Sequence, residues 1–80
     1  MRSEDENKMR MGLVVGYLGA EEYERCDEIL HTMLEESKKS KDSNQIFEVL
    51  AMLGYSAHLQ LDHQTAIEYL LKAIRMGGQW

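Results

Sequence analysis

No proline occurs in these 80 residues, which removes the commonest interruption of a helix. Phenylalanine and tryptophan occur once each, and β-branched residues are few beside Leu, Met, Glu, Lys and Ala, the residues that lose least on entering a helix. An all-α chain is expected. A single cysteine, Cys26, excludes an internal disulfide and fits a reducing cytosol, so a cytoplasmic location is expected. Cations are outnumbered, 9 against 14 anions for a net charge of −5. The one basic cluster is Lys38, Lys39 and Lys41, diluted by Ser37, Ser40 and Asp42, so no nucleic-acid surface is expected. The apolar-or-glycine run at residues 12–20, extended by Met11, falls short of the roughly 20 residues that span a bilayer. The N-terminus, MRSEDENK, is polar and acidic, unlike a secretory signal. A chain this short makes a single domain, burying only about 60% of its unfolded surface.

What is present is organised around residues 50–78. Small residues Gly54, Ala57, Ala66 and Ala73 fall among the bulky positions Leu50, Leu53, Leu59, Leu61, Ile67, Leu70 and Ile74, as two closely packed helices require. Upstream, Ser3 and Glu6 have capping-box spacing and open a helix that runs through Leu18. Gly12 and Gly16 lie on one face of it. Each costs about 1 kcal/mol relative to alanine, so a close helix crossing at that face is the expected compensation. Gly19 and Ala20 supply a turn. The second helix, residues 21–40, carries Tyr23, Cys26, Ile29, Leu30, Met33 and Leu34 at core-facing spacing. Its acids gather at the start and its lysines at the end, as the helix dipole favours. Residues 38–44 read as the internal loop, with Asp42 or Ser43 capping a third helix, residues 44–60. Asp62 caps the fourth, residues 63–76, and Gly77 and Gly78 end it.

Sliding the chain by 40 residues places Leu13 on Leu53, Tyr17 on Ala57, Cys26 on Ala66, Leu30 on Leu70 and Met33 on Ala73. The halves read as two copies, about residues 5–40 and 44–78. The pattern Leu50-x2-Leu53-Gly54-x2-Ala57, then Ala66-x3-Leu70-x2-Ala73, resembles the tetratricopeptide (TPR) signature. Leu50 stands for its Trp, Ala57 for its Tyr, Leu70 for its Phe and Gly78 for its Pro. The period exceeds the usual 34 or so by about six, an excess assigned to the loop at residues 38–44. Repeats of longer period resemble those of bacterial peptide-sensing regulators and some eukaryotic scaffolds.

That resemblance implies four antiparallel helices in two TPR-like hairpins, a short right-handed α-solenoid, and a role in binding another protein. It implies a groove lined by Lys8, Met11, Val15, Leu18, Glu48, Ala51, Met52, Tyr55 and His58, mostly apolar and suited to a helical or extended partner segment. The family's carboxylate clamp uses Lys and Asn where Met11, Val15 and Met52 stand, so no clamp is expected; core packing accounts for these three equally well. Two hairpins are fewer than the three repeats usually needed. Leu70, Leu71, Ile74, Met76 and Trp80 therefore form a flank expected to be covered by another chain in a homo- or hetero-oligomer, by Trp80 folding back, or by a continuation of the protein.

Residues with chemical potential have bland accounts. Cys26 and His31 point to different helix faces, and His58 and His63 flank a turn, neither pair having ligand spacing. No metal or cofactor is expected. Glu21, Glu22, Glu24, Glu35 and Glu36 read as a solvated face rather than a converging acid–base pair. Gly12-x3-Gly16-x2-Gly19 lacks the Lys-Ser/Thr of a phosphate loop, and Cys26 is a small core residue. The expectation is a non-enzymatic interaction module. A small acidic chaperone of the type III secretion kind, holding an export subunit, is the alternative, and a metal-binding regulatory protein using His58 and His63 the second.

Overall fold

The computed structural model describes the backbone of residues 3–77 and the side chains of residues 5–75. Four helices follow one another, α1 Ser3–Gly19, α2 Tyr23–Ser40, α3 Ser43–Leu59 and α4 His63–Gly77, with no strand among the described residues. Each helix packs chiefly on its neighbours in sequence, α3 on α4 most extensively and α1 on α2 least. The result is a plate of 31 × 31 × 14 Å. Its thickness is that of two helix layers about 10 Å apart with a Cα radius of about 2.3 Å added on each side.

The core runs through Val14 and Leu18 of α1, Cys26, Leu30, Met33 and Leu34 of α2, Val49, Leu50 and Leu53 of α3, and Ala73 of α4. The apolar spacing read for the second helix is the spacing that is buried, with Tyr23 and Ile29 packed at its edge. Helix α3 lies between α2 and α4 and buries residues on two sides, Val49, Leu50, Leu53, Gly54, Ser56 and Ala57, as a doubly covered helix must. The small residues act as expected here. A Cβ built on Gly54 would lie 3.0 Å from Cγ of Leu70, so α3 and α4 approach as closely as they do because position 54 has no side chain. Ala57, Ala66 and Ala73 are buried beside them.

Three expectations need correction. Nothing lies within 4 Å of a Cβ built on Gly12 or Gly16, so no helix crosses there. The loop expected over residues 38–44 shrinks to a turn at Lys41 and Asp42: α2 continues to Ser40 and α3 begins at Ser43. The connection between Ser40 and Ser43 is too short to hold the excess of about six residues assigned to it, and the helices hold 17, 18, 17 and 15 residues. Gly19 does not make the turn either. It is the last residue of α1, and the left-handed residue is Glu21, φ 61°.

That turn recurs. Lys41 (φ 57°) and Leu61 (φ 63°) are also left-handed, so the conformation returns every 20 residues, twice as often as the sequence repeat. At each turn the left-handed residue donates to the carbonyl three residues back, and its successor donates five back. The pairs are Glu21 to Leu18 and Glu22 to Tyr17, Lys41 to Lys38 and Asp42 to Ser37, and Leu61 to His58 and Asp62 to Ala57. These are Schellman closures, normally built on glycine. Successor positions Asp42 and Asp62 then cap the next helix, accepting from the amides of Gln45 at 3.1 Å and Thr65 at 3.3 Å. Glu22, in the equivalent place, makes no cap bond and pairs with Arg25 instead. The side chain of Ser3 lies outside the described residues, and so does its capping box.

Candidate functional site

Large apolar side chains are exposed on α1 (Met9, Leu13 and Val15) and more densely on α3 and α4. Between α3 and α4 runs a groove of about 470 Å³. Ala51, Tyr55 and His58 line it from α3, and His63, Ala66, Ile67 and Leu70 from α4, with Gly54 in its floor. Leu70, packed over Gly54, makes one wall apolar. Tyr55 remains 51% exposed, an aromatic anchor at the rim. Beside the groove Ile67, Leu70, Leu71 and Ile74 continue the apolar surface along α4.

The groove implied by the resemblance divides among three environments. Ala51, Tyr55 and His58 line the α3–α4 groove. Lys8, Met11 and Glu48 face a larger cleft of about 640 Å³ between α1 and α3, which they share with Asn7, Asp42 and Gln45. Met11 is the one apolar residue that lines that cleft. Leu18 is buried in the core, a correction to its place in a groove; Met52 is half-buried against the core, and Val15 is 61% exposed. Leu70, Leu71 and Ile74 of the expected flank are exposed, whereas the side chains of Met76 and Trp80 lie outside the described residues. Sequence reasoning did not place Ile67, Ala66 and Gly54 in a site. Ile67, Leu70, Leu71 and Ile74 nonetheless have the i, i+3, i+4, i+7 spacing that marks a continuous strip.

Polar contacts elsewhere are structural. Ser56, fully buried, donates to Oδ1 of Asp27 at 2.9 Å and ties α3 to α2. Arg10 of α1 pairs with Glu36 of α2. That hydrogen bond, opposed by burial, raises the guanidinium above its ordinary value. Cys26 is buried; desolvation first and the charge of Asp27 second raise its thiol above the ordinary value, against the Ser56 hydrogen bond. Its thiol is therefore inert rather than nucleophilic. The rings of His58 and His63 lie 5.7 Å apart at one end of the groove, and among the described residues no three His, Cys, Asp or Glu side chains gather as a metal would require. His31 packs against Tyr69 at 6.4 Å, away from Cys26. No described helix is long and apolar enough to cross a membrane.

No family model, no curated protein and no solved structure matches the chain. The site therefore rests on its own geometry.

Proposed function

We propose that this chain is a non-enzymatic interaction module, two TPR-like antiparallel hairpins whose α3–α4 face takes a helical or extended segment of another protein. The observation behind the reading is the uncovered apolar surface formed by Tyr55, Ile67, Leu70, Leu71 and Ile74 around the α3–α4 groove. Their exposure runs from 43% to 66%, and covering such half-exposed side chains yields roughly 1 kcal/mol each. The close α3–α4 crossing at Gly54 and the neighbour-by-neighbour packing support the TPR-like arrangement. Supporting a binding role over a catalytic one, the groove is walled chiefly by carbon, and its two histidines, His58 and His63, stand side by side at one end.

Capture experiments from the source cell test the reading. A binding module retains one dominant protein that Tyr55→Ala and Ile67→Asp release while their melting curves stay close to wild type. A helical export subunit as that protein identifies a secretion chaperone. Equal capture by wild type and both variants removes the groove from the mechanism.

A further inference from the structure

Ile67, Leu70, Leu71 and Ile74 are 57%, 43%, 44% and 66% exposed, and their spacing sets them in one strip along α4. We propose that the strip is covered by α4 of a second copy of this chain, the two helices lying antiparallel about a two-fold axis that passes between Leu70 and Leu71. This rests on the reading of the α3–α4 face as a docking surface and names its occupant.

The strip reads the same from either end. An axis at its midpoint sets Ile67 against the partner's Ile74 and Leu70 against the partner's Leu71, the self-complementary contact of an isologous interface. Charge selects this arrangement. Glu68 and Arg75, both exposed, border the strip on one side, seven residues apart, and among the described residues neither forms an ion pair within the chain. The same axis brings Glu68 to within two residues of level with the partner's Arg75, an axial offset of about 3 Å, and symmetry repeats the pair. Parallel helices in register would put the flank that carries Glu68 and Arg75 on opposite sides of the interface in the two copies, where neither finds its opposite charge. Lys72 takes no part, lying 5.6 Å from the centre of the Tyr69 ring. A stable interface needs about 800 Å² from each partner, more than one strip supplies. Tyr55 beside the groove extends it, so that two α3–α4 pairs meet as a four-helix arrangement.

Charge reversal tests the pairing in the full chain, followed by analytical ultracentrifugation with circular dichroism as the check on folding. Wild type sediments as a dimer. Glu68→Arg alone and Arg75→Glu alone each place like charges across the axis and lower the dimer affinity at least tenfold. An equimolar mixture of the two variants restores the dimer, because one chain then carries arginine at both positions and the other glutamate at both. Singles that dimerise as tightly as wild type, or a mixture no tighter than its components, overturn the antiparallel two-fold geometry. A wild type that remains monomeric at high concentration overturns the second copy as occupant. In that event anilinonaphthalene sulfonate separates the two ideas. Dye bound by wild type and lost in Leu71→Asp leaves the docking face standing without its dimer, and a wild type that binds no dye removes both.

Discussion

Gly54 and the pair Gly12 and Gly16 are the same residue in the same kind of helix, with opposite surroundings. At Gly54 the absent side chain is filled by Leu70, and two helices meet there. At Gly12 and Gly16 the absent side chains leave open space. One glycine is a packing device, and the other two are a cost the described structure does not recover. Helix α1 reflects this, being only weakly amphipathic where α4 is strongly so. A small residue in a helix marks a crossing only when a bulky one stands opposite, and that second half of the motif is not local in sequence.

Substitution at the three glycines should split the molecule along this line. Gly54→Ile, which drives a branched side chain into Leu70 and the carbonyl of Ala66 at 3.4 Å from the first added carbon, is expected to cost about 3 kcal/mol in chemical denaturation, the upper range for overpacking. A loss under about 1 kcal/mol would mean that α3 and α4 part easily. Gly12→Ala with Gly16→Ala should do the reverse, adding about 2 kcal/mol together through helix propensity alone. An unchanged or lowered midpoint would reveal a neighbour on that face of α1.

The three turns give a smaller version of the same contrast. Each spends a non-glycine residue on a left-handed backbone, at a strain of about 1 kcal/mol. Leu61 is also 76% exposed, so its side chain contributes little in return. Leu61→Gly should raise stability by about 1 kcal/mol; thermal melting decides it, since such a gain moves Tm by about 4–8 °C in a domain of this size. The smallest effect separates buried groups from surface ones. Burial first, then the charge of Asp27, raises both the Cys26 thiol and the Tyr69 phenol. The folded state thus holds their protons more tightly than the unfolded chain. Their contribution is complete below the ordinary values of 9.0 and 10.0 and is lost as pH rises through the higher folded ones. Melting temperature should fall from neutral to strongly alkaline pH, and less so in Cys26→Ala.

Much of the fold was legible because its signals are local. Helix number, the buried face of α2 and the caps at Asp42 and Asp62 all follow from residues within a turn or two of one another. The turns were not legible, because Schellman closures on Glu21, Lys41 and Leu61 go against the preference for glycine, while Gly19 stood nearby as a decoy. Nor was the tie between Ser56 and Asp27, which joins residues 29 apart in sequence. The site was legible in part. Periodicity marks which side of α4 is apolar, yet both Ala73, buried, and Ile74, exposed, belong to that side, and only the position of α3 decides between them.

The neighbour-by-neighbour packing of the four helices sets how the molecule comes apart. Contacts that join nearby stretches of chain close cheaply, so folding should be quick and zipper-like. With the slightest packing and two glycines in its interior, α1 is the end where the zipper opens, its amides trading hydrogen for deuterium before those of the doubly covered α3. A protease sampling such openings would trim the first helix and leave the apolar face of the last one on its support.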